Sequence, residues 1–157
     1  MKVVRRQKEK IFFEFSHKEK TLWLAILKLF PLVPKSHHRL SKNREIPNHE
    51  ENQRLLEESL QQQQHENRQL LTALLGDAGR FKPCEAGFKF SLARSEIEGL
   101  LQVLNDVRIG SWIALGSPDL EREKQLAINA QSLMHLQRME LAGMFEMFFL
   151  NAVSGVA

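Results

Sequence analysis

The residues of this chain whose types and spacing could do chemistry fall in one short run, Leu104-Asn105-Asp106-Val107-Arg108-Ile109-Gly110. Asn105, Asp106 and Arg108 interrupt an otherwise apolar helical stretch. With Glu140, they are the candidates for an enzyme site that no motif announces. In a helix Asp106 and Gly110 share one face at i, i+4 spacing, and so do Arg108 and Trp112. Glycine inside a helix costs about 1 kcal/mol relative to alanine, so Gly110 implies the close approach of another backbone or side chain. Arg108 has two candidate partners, Glu140 and Glu146, both set among apolar residues near the C-terminus. A buried ion pair of that kind fixes register more reliably than it adds stability. The structural reading of the run therefore leads the ligand-binding one.

Elsewhere the chemical signals are thin. The chain has no glycine-rich phosphate loop, zinc-ligand pattern or nucleophile elbow, and no His stands at a family spacing from the lone Cys. No cofactor is implied and no small-molecule substrate is identified. His37 and His38 are adjacent rather than at i, i+4 spacing, and no Cys or carboxylate cluster accompanies them, which argues against a metal. His135 reads as a helix-surface histidine. The single cysteine, Cys84, excludes an internal disulfide and fits a reducing, cytoplasmic compartment. Its neighbours Lys82, Pro83 and Glu85 do not clearly favour a thiolate. An ordinary thiol is the default, and a redox switch through an intermolecular disulfide the alternative.

Charge is unevenly spread. Residues 1–44 hold 12 Lys/Arg against three Glu, a balance of +9, while residues 45–157 hold 10 against 16, a balance of −6. A basic arm could meet a nucleic acid through Arg5, Arg6, Lys8, Lys10, Arg39, Lys42 and Arg44. Attraction between the two halves, or plain solvated charge around a hairpin and linker, explains the same asymmetry. The most apolar run, residues 21–34, is too short for a membrane span and is broken by Lys28 and Pro31. It lacks a signal-peptide cleavage site as well, so a buried helix is expected and no membrane partner.

These residues need elements to position them. A length of 157 residues suits a single domain with its own core. Lys2–Arg6 and Lys10–Phe15 read as a hairpin, and Ser16 with Glu19 has capping-box spacing for a helix running to about Phe30. Residues 35–47 read as a basic flexible linker within the domain. A long Gln-rich helix follows over 48–76, capped by Asn48 with Glu51 at cap spacing. Its heptad-like seam runs Leu56, Leu60, Gln63, Asn67, Leu70, Leu74, a narrow stripe that suits a peripheral or partner-binding helix. A third strand is expected near 87–91, then a helix capped by Ser95 and Glu98 that buries Ile97, Leu100, Leu101, Leu104, Val107 and Trp112. Gly116-Ser117-Pro118 marks a boundary, with Ser117 capping the next stretch. Residues 118–152 form one helix or two, apolar on several faces in the second half. Phe13-Glu14-Phe15-Ser16 and Phe88-Lys89-Phe90-Ser91, each before an apolar helix, form a faint repeat that would put two strands in one sheet. The fold class is mainly α with a small β element (α+β), a bundle of four to five helices.

The segment Leu104-Asn105-Asp106-Val107-Arg108-Ile109, followed by Ala114-Leu115-Gly116, resembles a family of uncharacterised bacterial proteins. It is a domain of unknown function best known in actinobacteria, often encoded beside the Clp protease adaptor. The resemblance covers about residues 3–33 and 85–153. It implies a compact, mainly helical domain without established catalysis, some members of which have been treated as transcriptional regulators. The Gln-rich helix and the basic linker depart from that pattern. The leading expectation is thus a non-enzymatic, cytoplasmic regulatory or interaction protein that acts through helical surfaces on a protein partner or a second copy. A nucleic-acid-binding regulator and an enzyme with an unrecognised site are the alternatives.

Overall fold

The computed structural model describes residues 1–38, 47–119, 121 and 125–155. Arg39, Lys42 and Arg44, with most of the expected linker, lie outside the described residues. Just before them, Lys35–His38 forms a 3-10 turn.

Alternation of apolar and polar residues produces the sheet. Strand β1 (Lys2–Arg6) pairs with β2 (Lys10–Phe15), as the hairpin pattern predicts. Strand β2 pairs in turn with β4 (Gly87–Ala93), and β4 with β3 (Lys82–Cys84), all antiparallel in the order β1-β2-β4-β3. Strand β3 was not expected from the sequence: it is three residues long and contains Pro83, which an edge strand tolerates. Ile11, Phe13 and Phe15 on β2, with Phe90 and Leu92 on β4, point to one face and are buried. Gly87 takes φ +136, and a Cβ there would come within 2.7 Å of Ser16 Cα, so the start of β4 lies against the end of β2.

Helix α1 (His17–Leu27) starts on the expected capping box. Ser16 Oγ accepts from the Glu19 amide at 3.2 Å, and Glu19 Oε2 from the Ser16 amide at 2.8 Å. It stops at Leu27 rather than Phe30, because the residue before Pro31 is pushed out of the helical region. Helix α2 (His49–Gly76) lies where expected, but Asn48 does not cap it by side chain and has a left-handed φ of 59. Of the expected seam only Asn67 and Leu74 are buried, joined by Leu71 from outside it, while Leu56, Leu60 and Leu70 are half-buried. Gln63 is exposed.

Helix α3 (Arg94–Ala114) begins directly after β4. Ser95 and Glu98 do not form its box; Glu96 Oε2 accepts from the Ala93 amide at 2.7 Å instead. With no loop between strand and helix, the cap falls on the last strand residue. Ile97, Leu100, Leu104 and Val107 are buried as expected, joined by Val103, whereas Leu101 and Trp112 are only half-buried. The last helix, α4 (Ala130–Ser154), does not start at Pro118. Gly116 and Ser117 take positive φ (88 and 53), and residues 125–129 are not helical. The cap is Asn129, whose Oδ1 accepts from the Ser132 amide at 2.9 Å.

The two strand–helix units of the faint repeat do share one sheet, with β2 beside β4. Helices α1, α3 and α4 pack on the same face of that sheet. Between the layers Phe15 meets Phe90 at 4.9 Å, Trp23 stacks on Phe90 at 5.3 Å and Phe13 meets Phe149 at 5.3 Å. Aromatic pairs at these distances add to simple burial. Helix α2 is peripheral, held by an Asn67–Gln102 side-chain hydrogen bond of 3.0 Å and by Leu70 against Gly99. No described element covers the opposite face of the sheet. None of the described helices is long and apolar enough to cross a membrane.

Candidate functional site

Two faces of α3 carry the sequence motif, and each holds a different neighbour. On one face Asp106 Oδ1 accepts from the Leu32 amide at 2.6 Å and the Val33 amide at 3.4 Å. Pro31 and Pro34 have no amide hydrogen, so these two donors are the only ones in the Pro31–Pro34 segment, and one carboxylate takes both. One turn on, Gly110 lies against the same segment: an added Cβ would meet Leu32 Cβ and come within 2.8 Å of the Leu32 carbonyl carbon. The i, i+4 pair on one face thus seats the chain leaving α1.

The other face meets α4. Arg108 Nε donates to Glu146 Oε2 at 2.9 Å and its Nη2 to Asn105 Oδ1 at 2.7 Å. Its aliphatic stem crosses α4 at Gly143, with Cδ 3.5 Å from where a Cβ would stand. Of the two carboxylates open to Arg108, the partner is Glu146. Glu140 is exposed and forms no ion pair among the described residues. The pair is half-buried rather than buried, with the Arg108 side chain 40% and Glu146 19% exposed. Asn105, Asp106, Arg108 and Glu140 therefore do not converge on one cleft.

The other candidates are dispersed. Cys84 is half-buried at the end of β3. His135 is more enclosed than expected of a surface histidine, with Nδ1 buried and without a hydrogen-bond partner among the described residues. Among the described residues no three His, Cys, Asp or Glu stand close enough to hold a metal ion. The basic N-terminus is not a free arm. Arg6 Nε donates to the Ala152 carbonyl at 3.1 Å, and the Arg5 guanidinium lies 4.4 Å over the Phe12 ring, while Lys8 and Lys10 are exposed.

Two surfaces stand out instead. On α4, Met144, Met147 and Leu150 are 43%, 58% and 44% exposed and follow one another at three-residue steps, a single stripe along the helix. The second surface is the uncovered sheet face, to which register assigns Lys2, Arg5, Lys10, Lys82 and Lys89 together with Phe12, Glu14 and Ser91. Glu14 is its one acid, held by Lys2 Nζ at 2.6 Å and Lys89 Nζ at 3.7 Å. The hydrogen bond from Lys2 keeps the Glu14 carboxyl below its ordinary value despite the desolvation that opposes it, and the same bond raises the Lys2 ammonium. Lys82 and Lys89 were not expected among the cationic contacts, because they lie far from the basic N-terminus in sequence. The usable signal was the alternation Lys10-Phe12-Glu14 and Lys89-Ser91.

Comparison of the chain with family models, with curated proteins and with solved structures returns no match, so the site stands on its own geometry.

Proposed function

We propose that this chain is a non-enzymatic regulatory or interaction protein of the cytoplasm, acting through its helical surfaces, and that α4 is the surface by which it meets a second copy of itself. The α4 stripe of Met144, Met147 and Leu150 carries this reading. It is uncharged and its thioethers are adaptable, a composition suited to contact rather than to water. An antiparallel two-fold crossing at Met147 makes the stripe self-complementary: Met147 meets its counterpart and Met144 meets Leu150. The same arrangement brings Glu140 of one copy toward the C-terminal end of α4 in the other. There Arg6 donates to the Ala152 carbonyl and Arg94 to that of Val153. The use of Asn105, Asp106 and Arg108 in holding α3 to its neighbours also supports a non-catalytic role. Membership of the uncharacterised bacterial family that Leu104–Gly116 resembles would agree with it.

Sedimentation velocity over a roughly hundredfold concentration range tests this. Self-association that Met147→Glu abolishes, with an unchanged circular dichroism spectrum, is the expected result. A strict monomer throughout refutes it.

A further inference from the structure

The helical surfaces leave the sheet's outer face unused, and its composition is unlike the rest of the molecule. Each charged position on it was set by strand register, not by sequence neighbourhood: Lys2 and Arg5 come from β1, Lys10 from β2, Lys89 from β4 and Lys82 from β3. All five are exposed. The one carboxylate at these strand positions, Glu14, is shared between Lys2 and Lys89, and the five cations outweigh it, so the face is net positive. At the centre of the face Phe12 is half-buried beneath Arg5 and opposite Ser91. Beside β4 a cleft of about 470 Å³ is lined by Lys10, Lys82, Arg80 and Ser91 together with two acids, Asp77 and Glu96. Arg80 pairs with both acids, with Glu96 at 2.7 Å and Asp77 at 3.5 Å, which leaves Lys10 and Lys82 as the cleft's cations with no acid partner among the described residues.

We infer that this open sheet face is a docking surface for single-stranded nucleic acid. Four strands at a spacing of about 4.8 Å give a platform roughly 15 Å across, wide enough for one strand of nucleic acid to lie on. The lysines supply phosphate contacts, whose affinity is sequence-independent and salt-sensitive. Phe12 with the Arg5 guanidinium above it offers a flat π surface for an unpaired base, and Ser91 a hydroxyl next to it. Unpaired bases favour a single strand over a duplex. An anionic membrane or an acidic protein segment would use the lysines but gain nothing specific from a stacking surface.

The test uses the full-length protein and a fluorescein-labelled oligouridylate of about 15 nucleotides, followed by fluorescence anisotropy. Four phosphate contacts predict a loss of roughly 50-fold in affinity between 50 and 200 mM salt. Lys10→Ala/Lys82→Ala/Lys89→Ala should lower the slope of log affinity against log salt by about 2. Arg54→Ala/Arg68→Ala/Arg138→Ala, with the same loss of charge on the helices, should leave it unchanged. Phe12→Leu, which keeps an apolar side chain at the centre, should weaken oligouridylate binding by about tenfold without altering the salt slope. The inference is overturned if both triple variants lose affinity equally, if Phe12→Leu has no effect, or if polyglutamate or phosphatidylserine vesicles compete as well as the oligonucleotide. Because this face and the α4 stripe are separate, Met147→Glu should not alter oligouridylate binding, so the two ideas fail independently.

Discussion

Gly110 on α3 faces the chain leaving α1 and Gly143 on α4 faces Arg108 of α3, and these neighbours give the two glycines opposite expectations. A Cβ at Gly110 would strike Leu32, including its carbonyl carbon at 2.8 Å, and a backbone held by Asp106 has nowhere to retreat. Gly110→Ala should therefore destabilise the protein by about 2 kcal/mol, the usual range for overpacking. At Gly143 the nearest atom is Arg108 Cδ at 3.5 Å, an ordinary contact with a flexible stem. Gly143→Ala gains helix propensity and should stabilise by up to about 1 kcal/mol. Thermal unfolding of both variants measures the difference. Equal effects would mean that Gly110 is not closely approached. Trp23 is fully buried with no acceptor for its indole N–H among the described residues.

At the scale of elements, the sheet is tied across three strands by Glu14. Its carboxyl is held below the ordinary value, first by Lys2 and less by Lys89. A lowered folded-state value means that its contribution is present above the ordinary glutamate value and is lost as pH falls through the lowered one. The raised Lys2 value means that its contribution is present below the ordinary lysine value and is lost as pH rises through the raised one. The pair thus supports the sheet through the neutral range. An NMR titration of the Glu14 side chain should show a midpoint below that of exposed glutamates. Lys2→Ala should move it upward further than Lys89→Ala does, and the reverse order would contradict the assignment. The capping boxes show what was legible at this scale. Ser16 with Glu19 acts as its spacing implies, because both partners are local. Ser95 with Glu98 has the same spacing and does not act, because β4 runs two residues past the expected end and hands the cap to Ala93 and Glu96.

For the whole molecule, order is unevenly distributed. Helix α3 is buried along its length between α4, the sheet and the chain leaving α1, whereas α2 buries residues only from Asn67 onward. Local opening follows burial, so amides of 53–62 should exchange with solvent at least about a hundredfold faster than those of 100–107. Hydrogen exchange with mass spectrometry reads this directly, and equal protection would show that the first turns of α2 are covered in solution. Much of the architecture was set by local rules that need no knowledge of the fold. Period-two alternation placed β1, β2 and β4, while helical periodicity placed α2 and most of the buried stripe of α3. The glycine penalty announced a close approach at Gly110. What tertiary structure alone decided were the pairings across the chain. Asp106 reaches Leu32 across 74 residues, Arg108 selects Glu146 over Glu140, and Lys82 and Lys89 join the N-terminal cations on one face. Spacing along a chain fixes which residues share an element's face, but only packing brings two faces together.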